Sequence, residues 1–359
     1  MTSFLRVFTG SLAIVAATFL SGCGNGGKAP ESGGETATPA SGGQELVVYS
    51  HRHYPADKQL FAQFEKETGI KVSVVSAKAD ELIKRLEIEG DDSPADVLIT
   101  VDAGRLAMAK EKGILQTAES AKLKELVPES LRDGDMHWVG LTVRARVVAY
   151  AKERVAEPLI KTYADLADPK VKGKVVIRSS SNVYNRSLLA SIIANDGVEA
   201  AEAWAKGVVA NMARTPKGND RDQMKAVVAG IGDYAVVNTY YLGLLMTSDN
   251  PEEVKVGEQL GLISPDQDGR GAHVNVSGAG LTKSCDQKEA ALKLLEFLAS
   301  DEAQKTFGEA NFEYPIRDSV EPSELLKSWG PFKRDTLHLG VLGEKNAETT
   351  KVFDAAGWR

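Results

Sequence analysis

From Leu46 onward the chain alternates short apolar runs with amphipathic stretches: LVVYS then PADKQLFAQFEKETG, IKVSVVS then ADELIKRLEIEG, ADVLITV then DAGRLAMAKEKGI. Short runs rich in valine and isoleucine match buried strands. Stretches with apolar residues three and four apart match helices. Strands that alternate with helices pair in parallel, because a parallel return needs a crossover long enough to hold a helix. The end signals agree with this βαβαβα reading. Pro55 and Asp57 open the first helix, Leu60, Phe61 and Phe64 share one face, and Gly69 stops it.

The alternation then resumes in a second set. WVGLTVRARVVAY, Trp138 to Tyr150, predicts a long strand able to cross between two lobes, with Arg144 and Arg146 on one face. From Leu159 come KVVIRSSS as a strand ending in serines, VYNRSLLASIIANDG and VEAAEAWAKGVVANM as helices, and DRDQMKAVVAGIG leading into the strand DYAVV. Gly271 to Thr282 reads as a returning strand, and DQKEAALKLLEFLASDEAQKTF as one strong amphipathic helix. Past Tyr314 the pattern weakens. At 359 residues the chain exceeds what one hydrophobic core holds, so two lobes are expected.

The N-terminus follows a different logic. MTSFLRVFTGSLAIVAATFLSGC carries Arg6, an apolar stretch from Val7 to Leu20 too short to span a bilayer comfortably, and then small residues, which together read as an export signal. Its ending, Leu20 to Cys23, resembles the bacterial lipobox, which implies a lipid anchor on Cys23. Residues 24–44 are mostly Gly, Ser, Pro, Ala and Thr, the composition of a flexible tether. Cys285 then has no partner for an internal disulfide. A net charge of -7 argues against nucleic acid as a partner. The GxSxG, HExxH, GxxxxGK[ST] and CxxC patterns are absent from the sequence.

Chemistry concentrates in the tyrosines. VVNTYYLGLL sets Tyr240 and Tyr241 between a predicted strand and a helix, the junction at which ligands collect in open α/β sheets. Tyr184 in SSSNVYN and Tyr54 in SHRHY occupy similar junctions, whereas Tyr49, Tyr150 and Tyr234 fall inside strands and read as core. If the first strand runs on, His51 and His53 point the same way. A free phenol has a pKa of about 10, so holding several phenolates at neutral pH needs a strongly polarising cation such as Fe(III). Histidine with tyrosine also suits Cu(II) or Zn(II). Arg52 and Arg144 are candidate counter-charges or anion holders. NDRDQ, Asn219 to Gln223, reads as a helix cap with solvated acids.

The blocks SHRHYPAD, DVLITVDAGRL, GLTVRARVVAY, SSSNVYNRSL, GNDRDQMKAVVAGIGD, NTYYLG and SGAGLTK together resemble periplasmic ferric-iron-binding proteins, the substrate-binding subunits of iron ABC importers, in particular the cyanobacterial type. The resemblance runs from about Glu45 to Trp358. It implies an α/β, two-lobed class II periplasmic-binding-protein fold, each lobe a mixed, mainly parallel sheet flanked by helices, with a cleft between them. The implied division is a signal peptide over 1–22, a tether over 23–44, an N-terminal lobe over 45–139 and 275–312, and a C-terminal lobe over 140–274 and 313–359. By motif, His53, Tyr54, Tyr184, Tyr240 and Tyr241 are the implied Fe(III) ligands, with Arg52 and Arg144 as counter-charges or anion-binding groups. The expectation is a monomeric binding protein, not an enzyme, anchored through Cys23 in the periplasm and passing iron to an ABC permease. One alternative keeps the fold and changes the cargo to Fe(II), an oxyanion or an organic solute. A more distant one is a metal-dependent hydrolase built on His51 and His53, which needs further ligands where only His137, His273 and His338 remain.

Overall fold

The computed structural model describes residues 44–359; the signal segment, Cys23 and the tether up to residue 43 lie outside the described residues. Among the described residues nine strands join one sheet: β1 Glu45–Ser50, β2 Lys71–Ser76, β3 Val97–Val101, β4 Leu115–Gln116, β5 Val139–Ala151, β6 Val175–Val176, β7 Tyr234–Asn238, β8 Leu260–Ile263 and β9 Val274–Thr282. Their order is β2-β1-β3-β9-β5-β7-β6, with β4 paired to β9 and β8 to β5. The parallel pairing expected from strand–helix alternation holds for β2-β1-β3 and for β6-β7. The remaining pairs are antiparallel, because β5 and β9 return through the sheet and are not links in βαβ units.

Those two strands organise the molecule. β5 pairs with β9 through Val139 to Ala145, then with β7 through Arg146 to Tyr150, so one strand runs through both halves of the sheet. β9 pairs with β3 at one end and with β5 at the other. Both are buried along nearly their whole length, as expected for strands covered on two faces.

Helix ends follow the residues. The helix Pro55–Thr68 stops at Gly69, whose φ of 71° a side chain would disfavour. The predicted single helix after Cys285 is two, Lys288–Leu298 and Asp301–Asn311. Ser300 breaks it, since its side chain accepts from the Ala303 N–H and restarts the helix as a cap. The run KVVIRSSS keeps only Val175–Val176 as strand, and its serines form the turn into the helix Val183–Asp196. β8 and the helices Glu324–Ser328, Val341–Glu344 and Asn346–Ala356 are elements the pattern did not reveal. Within this last stretch, Leu339 donates its N–H to the Ser130 carbonyl at 2.9 Å, and a Cβ on Gly343 would come within 2.4 Å of the Ala107 Cβ. The segment is therefore pressed onto the helix Ala103–Glu111. The next helix, Asn346–Ala356, leads to Trp358, which packs with Phe353 and Trp204.

Candidate metal centre

Each junction tyrosine stands at a helix start. Tyr54 is the cap of Pro55–Thr68, and Tyr184 is the second residue of Val183–Asp196, capped by Asn182. Tyr240 and Tyr241 are the second and third residues of Thr239–Met246. A first helical turn carries free N–H groups and the positive end of the helix dipole. The turns converge. The Tyr184 and Tyr240 hydroxyl oxygens lie 3.4 Å apart, the Tyr54 and Tyr240 rings meet edge to face at 6.2 Å, and the Tyr240 and Tyr241 ring centres are 4.2 Å apart. His53 stacks on Tyr54 at 5.2 Å. The structure thus brings all five sequence-derived ligand candidates to one place.

Tyr240 is 1% exposed, and a cavity of about 550 Å³ is lined in part by its neighbours Tyr54, Tyr184 and Tyr241 together with His51 and His53. Arg105, Arg178 and Arg221 also line it, and no Asp or Glu does. The two histidines do not share a strand face, because β1 ends at Ser50. His51 is half-buried with Nδ1 3.4 Å from the Ala77 carbonyl oxygen, and burial together with Arg105 pushes its imidazole below the usual range. His53 is exposed at the cavity edge.

Beneath the phenols lie two buried charge clusters. Arg52 and Arg144 converge on Glu313. Arg52 reaches it with two bonds, at 3.1 and 3.0 Å, and binds Asp57 through Nε at 2.8 Å; Arg144 binds Glu313 and Ser277 through Nη2. Burial alone would raise the Glu313 carboxyl, yet Arg52 and Arg144 hold it down at about 2. The Arg144 guanidinium carbon lies 5.2 Å from the Tyr240 ring centre, and its Nε and Nη1 find no hydrogen-bond partner among the described residues. In the second cluster, Asp220 takes Arg146 on one oxygen and Arg178 on the other, the latter at 2.9 Å. Both guanidiniums flank the Tyr184 ring, at 5.8 and 5.6 Å. The solvated acids expected at Asn219 to Gln223 are half corrected here. Asp222 is exposed in a capping box with Asn219, whereas Asp220 is fully buried, because it also accepts from the Asn238 N–H.

The protonation of the phenols follows from this setting. Burial, then the neighbouring tyrosines, lifts Tyr240 well above the ordinary phenol range, against the pull of Arg144. Burial likewise raises Tyr241 and Tyr54. Without a cation these groups stay neutral.

Sequence reasoning missed Asp57, Arg146, Arg178, Asp220 and Glu313 as parts of the site. The single local clue was the Arg-x-Arg spacing on β5. The remaining histidines have other surroundings. His137 Nδ1 bonds Asp133 at 3.1 Å, and Lys110 binds both Asp133 and Asp135, so that acidic group already holds a cation. His273 is buried and pushed down to about 3 by burial and Arg146, and His338 is exposed and accepts from the Gly340 N–H. None of the three lines the tyrosine cavity. Of the two cysteines, Cys285 is buried and free.

Comparison with known proteins gives a consistent picture. A sequence model of the bacterial extracellular solute-binding proteins matches residues 92–334. The chain is 47% identical to iron uptake protein A1 of a Synechocystis species, over 99% of this chain and 98% of that protein. It is 29% identical to the major ferric iron-binding protein of Neisseria meningitidis, over 90% of this chain and 95% of that one. Among solved structures, that of a Trichodesmium protein (IdiA, FutA) in complex with iron and citrate ligands superposes with a TM-score of 0.85 at 49% identity, covering 88% of this chain and all of the other. The fold is accordingly the α/β periplasmic-binding-protein fold.

Proposed function

Because this chain belongs to the bacterial extracellular solute-binding protein family, we propose that it captures ferric iron outside the cytoplasm and delivers it to an ABC permease. The observation that carries the reading is the convergence of Tyr54, Tyr184, Tyr240 and Tyr241 at helix starts above arginines that outnumber their acids. A trivalent ion with four phenolates retains one negative charge. Beneath it, Arg52, Arg144, Arg146 and Arg178 outnumber Asp57, Glu313 and Asp220 by one, and Arg221 on the cavity wall adds a further positive charge, so the setting offsets the excess of phenolate charge. Phenolates form at neutral pH only beside a strongly polarising cation, and a divalent ion polarises less than a trivalent one. That difference favours Fe(III) over Fe(II), Cu(II) or Zn(II).

In this reading His53, Tyr54, Tyr184, Tyr240 and Tyr241 hold the ion. Arg144, with two donors unpartnered beside Tyr240, is the nearest counter-charge, joined by Arg146 and Arg178 at Tyr184. Arg52 acts indirectly, by fixing Glu313 beneath Arg144. The ligands divide between a lobe of 45–139 with 275–312 and a lobe of 140–274 with 313–359, so iron favours the closed clamp by supplying bonds that exist only when the lobes meet. The protein is a monomeric carrier and not an enzyme; the His51 and His53 pair finds no third histidine in the cavity. Its relatives are binding and uptake proteins. Cys23 carries the lipid that keeps it at the membrane. The test is optical. Protein mixed with Fe(III) should give a visible phenolate-to-iron charge-transfer band, and a colourless complex would shift the reading to Fe(II) or an organic solute.

A further inference from the structure

Asp102 follows β3 with a left-handed backbone, φ 83°, which a residue other than glycine adopts only under strain. Its side chain is fully buried and forms no ion pair among the described residues. One oxygen accepts from the Gly104 N–H at 2.9 Å, the other accepts from Asn275 Nδ2 at 2.8 Å, and the Ser187 hydroxyl reaches both, at 2.8 and 2.7 Å. Asn275 in turn accepts from the N–H groups of Ala103 and Val276, both at 2.8 Å. Capping the helix Ala103–Glu111 accounts for the Gly104 bond alone. An exposed aspartate would serve that purpose, so burial and the bonds to Ser187 and Asn275 point to a further role.

These bonds join the end of β3, the start of β9 and the helix Val183–Asp196. Ser187 follows Tyr184 by three residues, one turn along that helix, so whatever fixes Ser187 also fixes the turn that presents the Tyr184 phenol. The same helix is held on another side by Arg186, which donates to Thr350 at 2.8 Å. We propose that Asp102 is a positioning residue for the metal centre: through Ser187 it sets where Tyr184 stands relative to Tyr54 and the Tyr240–Tyr241 pair. The proposal rests on the ferric reading above.

The experiment is a ferric titration of the whole protein against citrate, with the charge-transfer band and thermal unfolding followed in parallel. It compares wild type, Ser187→Ala, Ser187→Thr, Tyr184→Phe and the Ser187→Ala/Tyr184→Phe double variant. Loss of a partner behind a metal ligand lowers affinity by roughly 10–100-fold, and Ser187→Ala should fall at the lower end of that range, with a shifted band that Ser187→Thr restores. The double variant should bind no more weakly than Tyr184→Phe, since the placement of a missing oxygen no longer matters. An unshifted band, or losses that simply add, would overturn the proposal and leave Ser187 a packing residue. Wild type that gives no coloured complex would overturn the ferric reading instead. If Ser187→Ala does not fold, Asp102→Asn, which keeps the shape and one acceptor for the Gly104 N–H, enters the same comparison.

Discussion

Tyr240 shows how one oxygen can matter more than the ring that carries it. The ring is buried between Tyr54, Tyr241 and Arg144, so Tyr240→Phe preserves the packing and removes only the oxygen proposed to hold the ion. Tyr240→Phe and Tyr241→Phe are each expected to weaken Fe(III) binding by at least about tenfold, by analogy with losses around metal sites, while circular dichroism stays unchanged. Wild-type affinity in both variants would mean the ion binds elsewhere. Glu313 has the opposite character, touching no cargo but holding two buried cations. Glu313→Gln leaves Arg52 with Asp57 alone and Arg144 with no acid, a loss of about 3–5 kcal/mol by the usual cost of breaking a buried pair. Urea unfolding measures it. The pH dependence has a definite sign. The Glu313 carboxyl is depressed to about 2 in the folded protein, so its contribution is complete above the ordinary carboxylate range and is lost as the pH falls towards 2.

At the level of elements, the helix starts bear the chemistry, and their caps become functional parts. Asn182 accepts from the Asn185 N–H and shapes the turn that carries Tyr184. Asn182→Ala should cost about 1 kcal/mol of stability in thermal unfolding and, unlike a remote cap such as Ser300, should also reduce ferric affinity in the same titration. Equal affinity in Asn182→Ala and Ser300→Ala would detach the cap from the site. The elements were unequally legible in the sequence. The first three strands and helices show because each is long enough to display its period, and the tyrosine junctions show because they sit where apolar runs give way to helical ones. The break at Ser300 stayed hidden, since Ala299 and Ser300 fit a helical face until the serine side chain turns to cap the Ala303 N–H. β8 is too short to show alternation. Glu313 stayed hidden for a different reason. Its partners Arg52 and Arg144 are 261 and 169 residues away, and the segment around it carries no period that would aim it at them.

For the whole molecule, binding is linked to protons. Tyr54, Tyr240 and Tyr241 are neutral in the free protein, because burial raises them above the ordinary phenol value of about 10. On the proposed ligation each must release its proton to bind, so ferric affinity should fall steadily as the pH drops from 8 to 5, with one proton released per phenolate formed. A chelator of known pH dependence gives the reference, and a flat profile would rule out phenolate ligation. The membrane attachment is tested at the same scale: Cys23→Ala should release the protein from membranes or leave its precursor uncut, and continued lipid labelling would refute the anchor. The wide spacing of the ligands along the chain has one more consequence. Tyr54, Tyr184 and the Tyr240–Tyr241 pair meet in a molecule whose sheet runs through β5 and β9, so on the ferric reading an extended polypeptide has no chelating set to offer. Capture therefore belongs to the folded protein alone, which can load, empty and load again, whereas the same sequence unrolled would hold iron no better than scattered tyrosines do.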